Sequence, residues 1–340
     1  MFKPLVKKMA ERIPLSVYRL TTGRAVLALY YHVVSDECLP HIRHRYSYKT
    51  QRMFENDLLY LVRNYNLITY EQLAAHYSTG QELEPKSMVL TFDDGLAECY
   101  SVVRPLLLKH GVPCVFFVTT RYVDNRDMGY NLKASLCIDR IRSCEGNDIS
   151  RLFRCTGAAS GTSLSTAQGL ESWVESAAGC EDPAIDNLCR MLGIDVKEYL
   201  ATGRPYLTSD EIRHLDSDGF TIGAHSVNHR QLGGQAEPEV ERAIVDSCRT
   251  IVSLSGKPHV PFAFPSSADG VSRSLLRAIR DRHRHVGLFF GTGGVLHENG
   301  IVINRVCGDW PQGANEFSSN LPRRLARAYL ENLALRIRSS

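Results

Sequence analysis

No run in this 340-residue sequence is apolar and long enough to cross a bilayer, so a membrane-spanning helix is not expected. Met1 to Leu20 lacks an uninterrupted apolar core, being broken by Lys7, Lys8, Glu11, Arg12 and Pro14, and so does not read as an export signal. None of the ten cysteines forms a Cys-x-x-Cys pair and their spacing is irregular, which argues against a zinc ribbon or a disulfide framework and for a reducing setting. Cys114 and Cys307 lie in apolar runs and read as inert core thiols. The body of the chain has no basic stripe interleaved with aromatics, so nucleic acid is not expected as a partner. Nor is there collagen-like repetition or the composition of a disordered chain. At 44% hydrophobic and 23% charged residues, what remains is an ordinary globular protein of one main domain.

The formal charge is +3, but the ends contribute +5 (residues 1–24) and +4 (residues 322–340), leaving the middle at about −6. Both ends are amphipathic, with Phe2, Leu5, Met9 and Ile13 at one and Leu330, Leu333 and Ile337 at the other. They read either as helices packing on the body of the protein or as peripheral docking on an anionic membrane face. With the missing export signal and the free thiols, the expected location is the cytoplasm, including the inner face of the membrane.

Between the ends, β-rich apolar runs alternate with helical patterns. Strands are expected at Ala25–Val34, Asn66–Thr69, Ser87–Phe92, Pro113–Thr119, Pro261–Pro265 and His285–Phe290. Helices are expected at Thr50–Tyr65, from Glu71, at Ser101–His110, at Glu237–Leu254 and at Ser272–His283. Such alternation argues a parallel α/β sheet, open or closed. The rhythm breaks between about Asn125 and Arg204, where few β-rich runs occur and five cysteines fall. That stretch reads as an inserted, mostly helical cap, either a lid over the site or an elaboration remote from it.

Two short motifs carry the chemistry. Thr91-Phe92-Asp93-Asp94-Gly95 ends an apolar strand with adjacent carboxylates, and Gly95 permits a sharp turn out of it. Neighbouring side chains on extended backbone point apart, so one carboxylate can bind a metal while the other stays free. His225-Ser226-Val227-Asn228-His229 ends a second strand-like run, its i, i+4 spacing placing both imidazoles on one side of a helical turn. Two imidazoles and one carboxylate leave a fourth position open, the arrangement of a mononuclear metal hydrolase.

With these motifs the chain resembles the polysaccharide deacetylases of carbohydrate esterase family 4, the chitooligosaccharide deacetylase homology family. Tyr206-Leu207-Thr208-Ser209-Asp210-Glu211-Ile212, Gly219 to His225 and Leu29-Tyr30-Tyr31-His32 extend the likeness over roughly residues 25–125 and 205–310. The resemblance implies a distorted (β/α) barrel of about seven repeats with its site at the strand C-terminal ends. Its segments would be a basic amphipathic stretch at 1–24, a barrel in two parts at 25–124 and 206–312, the helical cap at 125–205 and a C-terminal amphipathic helix at 313–340.

Carried over by position, the resemblance implies that Asp93 is the general base and that Asp94, His225 and His229 bind a divalent metal, zinc first, with cobalt and nickel also suited. Phe264-Pro265-Ser266 matches the third motif, with the Ser266 N–H as oxyanion donor, but the arginine that often opens that motif and orients the base is absent. Asp309-Trp310 stands for the fourth motif. Leu296-His297 is the match for the fifth, whose histidine protonates the leaving amine, and His32 is a rival polar group for the pocket. The implied activity is removal of acetyl from an N-acetylated amino sugar on a glycan, glycolipid or saccharide precursor, N-acetylglucosamine being the natural test sugar. Deformylation or O-deacetylation of a lipid-linked sugar, a catalytically weakened carbohydrate-binding protein, and a membrane-associated assembly component with a structural metal remain alternatives. Oligomeric state is not legible.

Overall fold

Ser87–Phe92 (β3) is buried at every position, as a mostly apolar run should be when both faces of its sheet are covered. In this computed structural model, which describes residues 26–143, 167–176, 183–296, 300–309 and 321–339, β3 is a central strand of a parallel sheet. Val26–Tyr31 (β1) pairs with it in register, Val26 opposite Ser87 and Tyr31 opposite Phe92, and the short Asn66–Leu67 (β2) pairs with its start. Val115–Val118 (β4), Thr221–Ala224 (β5), Val260–Ala263 (β6) and Val286–Gly291 (β7) follow in order away from β3.

The sheet is closed by a segment absent from the strands expected above. Val302–Asn304 (β8) pairs with β7 and Val306–Cys307 (β9) pairs with β1, so one bent stretch, broken only at Arg305, joins the two edges. The result is a distorted (β/α) barrel. Helices Gln51–Asn64 (α1), Tyr70–Thr79 (α2), Arg104–His110 (α3, entered through a π-helical turn at Cys99–Val103) and, on the far side of the barrel, Ser209–Ser217, Glu237–Ser255 and Arg273–Arg282 alternate with the strands. Thr50 and Thr69 cap α1 and α2, each hydroxyl accepting the N–H three residues on.

Strand alternation divides the core. Leu27, Leu29 and Tyr31 pack with Phe54, Leu58 and Leu61 of α1 in the larger cluster between sheet and helices. Val26, Ala28, Val89, Val115, Phe117, Leu288 and Phe290 form the smaller cluster inside the ring, joined by Tyr70 and Leu73 of α2. By the same alternation Thr91 and Asp93 of the β3 end turn inward.

Between β4 and the histidine-bearing strand β5, the described chain is helical: Tyr130–Ser143 (α4), Ala167–Ser176 (α5), Pro183–Met191 (α6) and Val196–Gly203 (α7). Helices α4, α5 and α6 share a small apolar core of their own. A further cluster ties α4 and α7 to the loop after β1 through Val33, Leu39 and Ile42. Cys137 and Cys189 face each other in the cap with sulfurs 3.5 Å apart, and every cysteine among the described residues is a free thiol. Cys114 is buried; Cys307 is half-buried, with burial pushing its thiol up to about 11.

The C-terminal helix Leu321–Ser339 sets Leu321, Leu325, Ala326 and Tyr329 into the main core, and Leu330 packs against it. The side chains of Leu333 and Ile337 and the whole segment 1–24 lie outside the described residues. No helix among the described residues is long and apolar enough to cross a membrane.

Gly95 has φ +72°, and a Cβ there would sit 2.9 Å from Val118 Cγ1 on the neighbouring strand. Gly95→Ala is expected to lose roughly 1–2 kcal/mol from the left-handed backbone alone, with more from the contact. Calorimetry should show a lower thermal midpoint, and an unchanged one would contradict this account of the turn.

Candidate active site

β3 delivers Asp93 and Asp94 to the open end of the barrel, and the turn that follows holds Asp94 at φ +72°. β5 delivers His225. The histidine pair is not on a helical turn, as its spacing suggested: Ser226 and His229 both have positive φ, at 62° and 59°, and the Ser226 hydroxyl accepts the His229 N–H at 3.0 Å. A tight non-helical turn brings the two rings together, with centroids 4.9 Å apart. Such backbone conformations in residues other than glycine cost of order 1–3 kcal/mol each and concentrate where side chains must be aimed.

Asp94, His225 and His229 each present one ligand atom within 4.8 Å of the others. Asp94 Oδ1 is 3.0 Å from His229 Nε2 and 3.4 Å from His225 Nε2. His225 Nδ1 lies 2.9 Å from the Ala263 carbonyl, which can only accept, so that nitrogen carries the proton and Nε2 is left for the centre of the cluster. Asp94 Oδ1 is buried with the two imidazole Nε2 atoms as its near neighbours, a setting that favours positive charge in front of it. Burial raises the Asp94 carboxyl, but the charge of His229, bonds from His225 and His229 and the charge of His32 outweigh it and hold the group well below the ordinary carboxylate range. A divalent cation would serve the same oxygen, and two imidazoles plus one carboxylate are a fitting donor set for it.

Asp93 is held by a residue that the motifs did not reveal. Arg305, fully buried at the break between β8 and β9, donates from Nη1 to Asp93 Oδ1 at 2.6 Å and from Nη2 to Oδ2 at 2.9 Å. Its Nη1 also reaches Thr91 Oγ1 at 2.9 Å, and its Nε the Gly291 carbonyl at 3.2 Å. The guanidinium lies over Tyr30, Phe117 and Phe290, at 4.9, 5.2 and 6.0 Å from their ring centroids. Such a planar fork satisfies a buried carboxylate at both oxygens. Burial pushes the Asp93 carboxyl up; the charges of Arg305 and His225, with the Arg305 bonds and the charge of His32, bring it below its ordinary value. Asp93 is therefore ionised. The third motif supplies no arginine; the guanidinium that holds Asp93 comes instead from the break between β8 and β9. An arginine inside Val302-Ile303-Asn304-Arg305-Val306 was the available signal, since a cation in an apolar strand needs a buried partner.

His32, at the end of β1, stands 2.5 Å from Asp309 Oδ2 through Nδ1, and its backbone N–H reaches Oδ1 at 3.3 Å. Asp309 is itself buried. Burial lowers the His32 imidazole, but the charge and hydrogen bond of Asp309, helped by Asp94 and Asp93, raise it to about 9. Tyr46 stacks on the ring at 4.6 Å.

Asp93, Asp94, His225, His229, His32 and Ser266 all line one cavity of 690 Å³, within the range of about 300–1,000 Å³ usual for small-molecule sites. Ser266 has φ +60°, and its carbonyl accepts from Thr292 at 2.6 Å. Pro265 beside it is buried. Cap residues from α4 and α6, among them Tyr130, Lys133 and Asp186, complete the wall. His297 and Trp310 lie outside the described residues.

No protein of curated function matches the chain. Among solved structures it is similar to the Streptococcus pyogenes deacetylase PplD in complex with acetate (TM-score 0.53, 14% identity, covering 89% of this chain and 97% of that one). It is similar also to IcaB from Ammonifex degensii (0.52, 15%, 90% and 98%) and to a de-N-acetylase from Aggregatibacter actinomycetemcomitans (0.51, 15%, 82% and 93%). At these identities the likeness is one of fold. The sequence itself matches the model of the polysaccharide deacetylase family over residues 80–161 and 170–283, a span that holds both the carboxylate pair and the histidine pair. More than half of the chain lies within that match, so the protein belongs to the polysaccharide deacetylases, hydrolases of carbon–nitrogen bonds other than peptide bonds.

Proposed function

We propose that this deacetylase removes acetyl from an N-acetylated amino sugar, with Asp93 as general base, His32 as general acid and Asp94, His225 and His229 as ligands of a divalent cation, zinc in the first instance. The observation that carries the reading is the ionised Asp93, clamped by Arg305, beside three converging metal-type ligands in one cavity. When bound, the cation supplies Lewis-acid charge for the acyl oxygen and lowers the pKa of water. Asp93 takes the proton of the attacking water. The Ser266 N–H, at the cavity wall, donates to the oxygen of the tetrahedral intermediate. His32, kept protonated by Asp309, delivers a proton to nitrogen as the C–N bond breaks, giving acetate and a free amine. In this assignment His32, which the sequence presented only as a rival polar group, takes the role expected of His297.

Elemental analysis together with amine and acetate release from N-acetylglucosamine oligomers tests the proposal. Near-stoichiometric zinc, cobalt or nickel in the wild type, lost in His225→Ala, with equal yields of amine and acetate, is the expected result. Turnover of an N-formylated sugar, giving formate and amine, with the N-acetyl oligomers untouched would turn the reading to a deformylase. Acetate released only from an O-acetylated sugar would make it an esterase, and absence of both metal and turnover would overturn it.

A further inference from the structure

Asn131, Ser135 and Asp139 recur at every fourth residue of α4, so they share one face of the helix. That polar face grips the loop between β1 and α1. Asn131 Nδ2 donates to the Tyr46 hydroxyl at 3.2 Å, and its Oδ1 accepts from Arg45 Nη2 at 3.0 Å, so both ends of the amide are engaged. The buried Ser135 hydroxyl donates to the Pro40 carbonyl at 2.7 Å and accepts the His44 N–H at 3.3 Å. Asp139 Oδ1 lies 3.0 Å from His44 Nε2. Beside these bonds Leu132 and Leu136 of α4 pack with Leu39 and Ile42 of the loop, and Tyr46 packs against that cluster.

The loop carries this grip to the site. The Tyr46 ring lies flat on the His32 imidazole, with centroids 4.6 Å apart and planes within 11° of each other. Tyr30 meets the same imidazole edge to face at 5.5 Å. Asp309 takes Nδ1, which leaves Nε2 as the nitrogen that serves the cavity lined by His32, Tyr46 and Asn131. One bond at Nδ1 fixes a pivot but not the plane of the ring. A tilt about that pivot swings Nε2 away from a leaving nitrogen, and proton transfer needs the donor within about 2.6–3.2 Å. A flat aromatic neighbour whose own hydroxyl is tied to a helix sets that plane.

We propose that Tyr46 is a positioning residue for the general acid, setting the plane of the His32 imidazole, and that Asn131 makes the cap part of this device. The inference rests on the assignment of His32 as the acid. Tyr46→Leu should lower kcat for N-acetylglucosamine oligomers by about tenfold or more with KM little changed. Its deficit should be smaller on nitrophenyl acetate, whose leaving group departs without a proton. Tyr46→Phe, which keeps the ring and loses the hydroxyl, and Asn131→Ala should each lose about two- to tenfold in kcat. Together they should lose no more than Asn131→Ala alone, and Tyr46→Leu should cost nothing further in a His32→Ala background. Equal losses on both substrates, a loss confined to KM, or a full further loss in the His32→Ala background would overturn the inference. If His32→Ala itself loses equally on both substrates, the acid assignment fails, and NMR relaxation of isotope-labelled histidine rings still decides the positioning. The His32 signal, identified by its absence from His32→Ala, should show a more mobile ring in Tyr46→Leu and Asn131→Ala than in the wild type; unchanged mobility refutes it.

Discussion

Arg305→Met is expected to cost about 3–5 kcal/mol of folding stability, because it leaves the Asp93 carboxylate buried without its partner. Amine release should fall by about a hundredfold or more, the scale of a misplaced catalytic group. The pH profile should move in a stated direction. Arg305 is the largest of the influences that lower the Asp93 carboxyl, and burial opposes it. Without the guanidinium, burial prevails, the carboxyl titrates at higher pH, and the acid limb of kcat/KM shifts upward. Asp93→Asn should be inactive and should also destabilise, since Arg305 then becomes the unpaired buried charge. The Asp93→Asn/Arg305→Met double variant should consequently be more stable than the two single effects summed. Additive losses in denaturant titrations would show that the pair is not coupled and that another group orients the base.

That prediction turns on the part of the site that was hardest to read. The carboxylate and histidine pairs were visible because each ends an apolar run, where a parallel sheet exposes its chemistry at the strand C-termini. Arg305 and Asp93 are 212 residues apart in sequence, and His32 and Asp309 are 277 apart. Both pairings exist only because the bent segment β8–β9 closes the ring between β7 and β1. Its pieces of three and two residues are too short to register as periodic strands, and Asn304 and Arg305 interrupt them with polarity. The histidine turn shows a different limit. Spacing of i, i+4 fits a helix, yet Ser226 and His229 adopt left-handed backbone, which no glycine signals. The cap was legible as helical from its lack of β-rich runs, but that α4 and α6 wall the cavity depends on packing through Leu132, Leu136 and the β1 loop, long-range contacts without a local pattern.

His32→Ala is expected to lower kcat for an acetamido sugar by about 10²–10⁴-fold, the range of a lost general acid. The loss should depend on the leaving group. An amine cannot depart without a proton, whereas a nitrophenolate can, so the same variant should hydrolyse nitrophenyl acetate with little deficit. Equal losses on both substrates would assign His32 to binding or structure. Asp309→Asn probes the same pair from behind. Asp309 is what raises the imidazole to about 9 against the pull of burial, so removing its charge lets burial lower it. The donor must be protonated to act, and its loss of a proton sets the alkaline limb. That limb should therefore move to lower pH in Asp309→Asn, with activity at pH 6 falling less than activity at pH 8. The shift between wild type and variant, not the absolute position of either limb, is the diagnostic, because any cation held by Asp94 acts on both alike. An unmoved alkaline limb would return the proton donor to a group other than the His32–Asp309 pair.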